Sequence, residues 1–351
     1  MKPFASIFKQ KAALGLDLGN SWAKAVKLTE SRSGPVLEKI GRMSWTRSDW
    51  ENQNQTALKL REFWEKMEFQ DTVVVSSMAG HAVIIKRVAF SAAKARGLEE
   101  NIHEEAKQYI PFDIEDVYLD YQIMGEGQGE NSVDVVLVAS KKKMVQDLQD
   151  VLERAGLGLA VVDVDAFALS NCFEFSYPEL LEESTYLLDV GAQHSIFCVY
   201  SGGQPLFLRE VGFGGQQITD RLAKVLGKNR LEAEKIKING PGGLDSEQQA
   251  LAQGELDTIY NTWTLELQRL IDFYQGTVAK PRTAKRLFLA GGGSLMSRLT
   301  DSFSDRLGIE TAYMDPWRRI ATREDRFDPA YLESVGPQFC VAIGLALREV
   351  G

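Results

Sequence analysis

Residues 16–28 (LDLGNSWAKAVKL) and 188–200 (LDVGAQHSIFCVY) are two versions of one pattern, set 172 residues apart in a chain of 351. Leu16 falls on Leu188, Asp17 on Asp189 and Gly19 on Gly191. Each copy reads as apolar strand, Asp, apolar residue, Gly, second apolar strand. Taken singly, either copy is an ordinary hairpin with turn-forming residues. Two copies in matching contexts, half a chain apart, indicate a duplicated unit.

The residue types suit a phosphate ligand. Gly at a hairpin turn lets backbone N–H groups approach phosphate oxygens. An Asp at the preceding strand end can hold Mg²⁺ through water, because Mg²⁺ keeps much of its hydration shell. Two such hairpins face to face would clamp one triphosphate from both sides. A third element supports this reading. In LFLAGGGSLMSRLTDSF (residues 287–303) an apolar strand runs into Gly291, Gly292 and Gly293. Ser294 is placed to cap a helix expected over 295–307, whose N-terminus would favour negative charge. The loop is not G-x-G-x-x-G, since Met296 holds the last place, and Gly227-Lys228 is followed by Asn229 rather than Ser or Thr. Dinucleotide-fold and P-loop readings lose support accordingly.

Composition narrows the class. Forty Lys and Arg against 49 Asp and Glu give a net charge of −9, which argues against a nucleic-acid coat. Cys172, Cys198 and Cys340 are too few for a disulfide framework and read as core residues in a reducing compartment. No CxxC or HExxH spacing exists, so a structural zinc site is not expected. Lys2, Lys9 and Lys11 interrupt the start of the chain, and no apolar run of signal-peptide or membrane-span length occurs. Phe4, Ile7 and Phe8 give that start a weak amphipathic character.

Along the chain, 13–18 and 22–28 read as strands, and 55–67 as a helix with Leu60, Phe63, Trp64 and Met67 on one face. TVVVS (72–76) is a strand buried on both faces. A different unit follows, of strand, helix, strand, strand and helix, the last with Met144, Leu148, Val151 and Leu152 on one face. It reads as a small α+β module set into a larger α/β frame. The frame resumes at 160–164 with a helix after it. Strands follow at 185–190, 195–200 and 205–211, then helices near 215–226, 231–238 and 255–275. A strand at 286–290, a helix at 295–307 and a last helix at 337–349 end the chain.

The two Asp-Gly hairpins and the later GGGS loop together resemble the actin-like ATPase superfamily. EEAKQYIPFDIEDVYLDY (104–121), AVVDVD (160–165) and AIGLALR (342–348) narrow the resemblance to the PilM family, cytoplasmic actin-like proteins of type IV pilus assembly. The similarity runs from about Gly15 to Arg348. It implies an α/β fold of two ribonuclease-H-like, actin-type lobes with an inserted small α+β (SHS2-like) subdomain that FtsA shares. The first lobe would comprise 1–88, 158–182 and 336–351, the insertion 89–157, and the second lobe 183–335 with a smaller subdomain at about 212–284.

The resemblance also implies a site for ATP and Mg²⁺. Asp17, Gly19, Asn20, Ser21 and Lys24 occupy the first phosphate motif, and Asp189, Gly191, Ala192 and Gln193 the second. Asp17 and Asp189 would hold Mg²⁺ through water. LEAEKIK (231–237) matches the helix that faces the nucleoside, with Glu234 accepting from the ribose hydroxyls and Lys237 near the base. Gly291, Gly292, Gly293 and Ser294 would support the adenine. GGQQIT, beginning at Gly214-Gly215, reads as mainly structural.

Trp22 after Asn20-Ser21, and His194-Ser195 in the second motif, depart from the family pattern and put efficient hydrolysis in doubt. The group that would orient an attacking water is not identified; Gln193, His194, Asp163 and Asp165 have the right chemistry.

The function implied is a nucleotide-regulated adaptor that captures the cytoplasmic tail of a PilN-like inner-membrane protein, in a groove between the first lobe and the insertion. Other pilus platform proteins and the assembly ATPase are further implied partners, self-association is allowed, and nucleic acid is not expected. The expected location is the cytoplasm, peripheral at the inner membrane through partners, without direct insertion. The alternatives are a small-molecule kinase of the same superfamily and a filament-forming division protein like FtsA. FtsA ends in a basic amphipathic helix, whereas this chain ends at Val350-Gly351 directly after GLALRE.

Overall fold

A computed structural model describes residues 14–46, 49, 51–80, 83–91, 98–126, 131–278 and 281–349. The amphipathic start at Phe4, Ile7 and Phe8 lies outside the described residues. The described residues form thirteen strands, β1–β13, and ten α-helices, α1–α10.

The first lobe begins with β1 (Leu14–Leu18), β2 (Trp22–Ser31) and β3 (Gly34–Ser44), joined by hairpins and paired antiparallel. Helix α1 (Gln53–Lys66) leads to β4 (Val73–Met78), parallel to β1. After the inserted unit, α3 (Lys142–Arg154) leads to β8 (Gly158–Val164), parallel to β4. The sheet order is β3-β2-β1-β4-β8. The second lobe repeats this order as β11-β10-β9-β12-β13. Its strands are β9 (Thr185–Val190), β10 (Ser195–Ser201), β11 (Gln204–Val211), β12 (Arg286–Ala290) and β13 (Glu310–Tyr313). The first three are antiparallel, and β9, β12 and β13 are parallel. The duplication read from two short segments therefore extends to whole sheets.

The lobes differ in what interrupts them. In the second, α5 (Gly215–Leu226), α6 (Arg230–Asn239) and α7 (Ser246–Thr277) stand between β11 and β12, while α8 (Leu299–Leu307) alone joins β12 to β13. In the first, α1 alone joins β3 to β4, and the inserted unit stands between β4 and α3. The 32-residue α7 is capped by Asp245, whose side chain accepts from the Gln248 N–H. Leu256, Ile259, Tyr260, Trp263, Leu267, Ile271 and Tyr274 form its buried stripe over the second sheet.

The inserted unit has β5 (Val83–Ser91), α2 (Leu98–Ala106), β6 (Val117–Glu126) and β7 (Ser132–Lys141), with sheet order β5-β7-β6. Ile102, Ala106, Ile110 and Ile114 close its own core against Phe90, Val135 and Leu137. The unit starts at Val83, earlier than the expected residue 89. It stops at Lys141, because α3 packs elsewhere: Val151 and Leu152 join Leu14, Leu60, Phe63 and Trp64 in the first lobe's core. The apolar stripe of α3 needs a cover, and α1 supplies it.

The lobes meet through α4 (Asp165–Ser176), which follows β8, and α10 (Cys340–Ala346), which follows α9 (Pro329–Val335) and returns to the first lobe. Only seven residues of the helix expected over 337–349 are α-helical; 3₁₀ turns flank them at Gly336–Phe339 and Leu347–Glu349. A Cβ at Gly344 would overlap the Ala168 carbonyl oxygen, so the α4–α10 crossing depends on a glycine there. Cys172 and Cys340 are buried in this inter-lobe core, and Cys198 reaches it from β10.

Candidate functional site

Each hairpin is closed by one backbone hydrogen bond at its glycine. Gly19 N–H donates to Trp22 O at 3.0 Å, and Gly191 N–H donates to His194 O at 3.1 Å. The first loop is pinned from behind by Trp45, whose indole Nε1 donates to Gly19 O at 2.8 Å and whose backbone N–H donates to Ser21 O at 3.1 Å. The second is backed by α5: Gly215 N–H donates to Gly191 O at 3.0 Å, and Gln216 N–H to Ala192 O at 2.8 Å. The hairpin tips face each other across the lobes. Asn20 Nδ2 donates to Gln193 Oε1 at 3.2 Å, and Gln216 Nε2 donates to Ser21 Oγ at 3.4 Å. The two Asp-Gly hairpins thus meet through these two side-chain hydrogen bonds.

Behind the tips lies a charge cluster. Asp17 stands opposite Lys24 across the β1–β2 ladder and forms an ion pair with it. Burial pulls the Lys24 ammonium down, but Asp17, with Asp189 and Asp165 behind it, more than reverses this and leaves it raised. Asp165, at the start of α4, is pushed up to about 7 by burial and then by the charge of Asp17. Asp189 rises to about 6, chiefly through burial, with Lys24 opposing and Asp17 adding. Three carboxyl groups therefore share one ammonium, an arrangement short of positive charge. Among the described residues no three His, Cys, Asp or Glu side chains converge to ligate a metal directly. The donor set fits a hydrated divalent cation held through water better than a directly caged one.

The structure separates the four residues considered for orienting water. Asp163 is buried and paired with Arg348. His194 is exposed and faces Glu210 at 3.2 Å. Gln193 accepts from Asn20 at the tips. Asp165 alone shares the charge cluster with both hairpin aspartates.

The third loop departs from expectation. Gly291 has φ +81°, and a Cβ there would overlap Asp189 Oδ1, so this glycine lets the loop lie against the second hairpin. Its N–H donates to Pro337 O at 2.7 Å. Ser294 does not cap the following helix. Its hydroxyl donates back to Gly291 O at 2.7 Å inside a 3₁₀ turn at Gly292–Ser294, and its side chain is fully buried. Helix α8 begins only at Leu299, after a left-handed Arg298. The positive end of α8 is thus not at this loop; the start of α5 is, since a Cβ at Gly215 would stand 3.4 Å from Gly293 Cα, and Gly292 is the exposed glycine of the loop.

Helix α6 starts with a capping box between Asn229 and Glu232, which fixes the phase of Glu234 and Lys237. Lys237 Nζ stands 2.7 Å from Glu234 Oε1 and donates to Thr219 Oγ1 at 3.2 Å and Gly215 O at 3.4 Å. Burial holds its pKa down, with Glu234 opposing. The lysine expected near the base is thus a buried stitch between α6 and α5. The Glu234 side chain keeps 42% of its surface exposed while its carboxylate accepts from Lys237 and, at 2.5 Å, from Thr219 Oγ1.

The family model described as type IV pilus assembly protein PilM matches residues 15–350. A solved structure, the PilM-PilN type IV pilus biogenesis complex, is similar at a TM-score of 0.85 and 27% identity, covering 98% of this chain and 100% of that one. Ethanolamine utilization protein EutJ from Carboxydothermus hydrogenoformans shares the fold at a TM-score of 0.58 and 14% identity, with 97% of this chain and 90% of that chain covered. MreB5 of Spiroplasma citri, solved bound to ADP, does so at 0.50 and 10% identity, with 95% and 94% covered. The sheet duplication, the facing hairpins and a family match across almost the whole sequence agree: the chain belongs to the family of the type IV pilus assembly protein PilM.

Proposed function

We propose that this protein is a nucleotide-responsive adaptor of type IV pilus assembly, which binds ATP with Mg²⁺ in the inter-lobe cleft and a PilN-like cytoplasmic tail in the groove between the first lobe and the inserted sheet. The observation that carries this reading is the match to the PilM-PilN complex over 98% of the chain. The cleft supports its nucleotide half. The side chains of Asn20 and Gln193, and of Ser21 and Gln216, meet across the lobes where a polyphosphate would lie. Bound Mg²⁺ would supply positive charge to the phosphates and to the carboxyl cluster. Asp17, Asp189 and Asp165 would hold its water shell, with Lys24 supplying the fixed cation. Residues 291–294 would offer glycine backbone to the adenine, and Glu234 would accept from the ribose hydroxyls.

No helix among the described residues is long and apolar enough to cross a membrane. Binding of a PilN-like tail would place the protein at the inner membrane. Ligand occupancy would act by biasing the lobe arrangement, a population shift between states. The test is titration of a labelled PilN-like tail peptide by fluorescence anisotropy, with and without Mg-ATP. Saturable binding that changes with Mg-ATP is expected; a flat titration under both conditions sinks the reading.

A further inference from the structure

Asp17, Lys24 and Arg42 stand in one row across the first sheet, each directly opposite the next on β1, β2 and β3. Asp17 and Lys24 are paired with each other. Arg42 makes no ion pair among the described residues. Its Nη1 donates to Gln338 Oε1 at 2.7 Å. Its guanidinium lies over two half-exposed rings, Trp22 at 5.0 Å and Tyr331 at 6.0 Å from the centroids. A guanidinium placed over two aromatic rings and hydrogen-bonded at one nitrogen is restrained in position.

Gln338 sits in the 3₁₀ turn at Gly336–Phe339, where the chain passes from the second lobe back into α10. The same turn is bonded to the third loop, through Gly291 N–H to Pro337 O. The Gln338 side chain also runs beside the exposed Gly292: a Cβ there would stand 3.5 Å from Gln338 Cγ. The loop of residues 291–294, the return turn and the row ending at Asp17 therefore form one bonded connection. It runs between the lobes without passing through the hairpin tips. A ligand that shifts the loop shifts the turn with it, and Gln338 presents that shift to Arg42.

We propose that Arg42 is a positioning residue that couples occupancy of the 291–294 loop to the first lobe, so that nucleotide and partner tail bind cooperatively. The proposal rests on the adaptor reading above and names its route of regulation. The coupling is a ratio of affinities and is reciprocal between the two ligands.

The experiment uses the full chain. Affinity for the labelled PilN-like tail is measured with and without Mg-ATP, and affinity for Mg-ATP with and without the tail, in wild type, Arg42→Met and Gln338→Leu. Thermal unfolding reports whether each variant is folded. In wild type the ratio is expected at about 5-fold or more, the low end of ordinary coupling. In each variant the separate affinities stay within about 3-fold while the ratio falls to about 1. The double variant should lose nothing further, since both residues serve one connection. Arg42→Lys should not restore the ratio, because an ammonium neither stacks flat nor presents a planar fork.

An unchanged ratio in Arg42→Met overturns the proposal, as does an equal loss of both affinities with the ratio preserved. Should Arg42→Met fail to fold, Gln338→Leu decides by the same criteria from the other end of the hydrogen bond. A wild-type protein that binds both ligands with a ratio of 1 overturns the coupling alone. One that binds neither overturns the adaptor reading instead.

Discussion

Asp165 is the residue whose environment the sequence least discloses. In AVVDVD it is one of two aspartates two positions apart, with nothing local to rank them. The parallel pairing of β8 with β4 ranks them: it leaves Asp163 beside Arg348 and turns Asp165 at the start of α4 into the cluster with Asp17 and Asp189. This placement has a pH signature. With its carboxyl pushed up to about 7, folded Asp165 holds a proton that the unfolded chain releases near the ordinary carboxylate value. Between those values the native state binds more protons than the unfolded state. Stability of the ligand-free protein therefore falls as pH rises through the window, and Asp189, raised to about 6, adds to the fall. Asp165→Asn removes the cost of the charged form. At pH 8 it should gain on the order of 1 to 3 kcal/mol over wild type, and near pH 4 almost nothing. Thermal unfolding across pH checks this, and a loss of stability at pH 8 would refute the cluster. Trp45, which pins the first hairpin, carried no sequence signal: it lies well beyond the motif and reaches it only through β3.

At the scale of elements, legibility followed periodicity. The stripe of α1 and the buried run of β4 were plain, but β3 was missed. Its pairing with β2 shifts register between Lys27 and Leu28, leaving Glu38 outside the regular alternation. Leu37 and Ile40, three residues apart, are both buried as a result, which obscures a strand's period of two. The helix expected from residue 295 failed for a related reason: Ser294 completes a 3₁₀ turn internally and leaves no cap for it. Glycines give a test of which elements are under constraint. In α7 a Cβ at Gly254 would meet nothing within 4 Å, so Gly254→Ala should stabilise by about 0.5 to 1 kcal/mol, or about 2 °C in a chain this long. In α10, Gly344→Ala drives a methyl into the Ala168 carbonyl and should cost about 3 kcal/mol or more. Chemical denaturation of the two variants should give opposite signs; equal effects would mean that the α4–α10 crossing is not close-packed.

The duplication seen in thirteen residues also decides how the whole molecule is partitioned. In the second lobe β12, α8 and β13 form an uninterrupted crossover between parallel strands. The corresponding crossover of the first lobe is β4, α3 and β8, with the inserted sheet entering between β4 and α3. This correspondence, and the packing of Val151 and Leu152 against Leu60 and Phe63, assign α3 to the lobe rather than to the insertion. The sequence could not show it, because α3 follows β7 directly and its stripe does not say which neighbour covers it. The ends of the insertion are neighbours as well: Val83 pairs with Ser140 on antiparallel strands, a separation of about 5 Å. A short Gly-Ser linker can therefore replace residues 83–141 without moving β4 or α3, and it leaves the first lobe with the plain crossover that the second already has. The excised chain should fold cooperatively and keep its thermal stabilisation by Mg-ATP, since every residue assigned to the nucleotide lies outside the excised segment. It should lose binding of the PilN-like tail, because one wall of the proposed groove is gone. If it fails to fold, the inserted sheet is part of the lobe's stability and the partition is wrong; if it folds and still binds the tail, the groove lies elsewhere on the lobes.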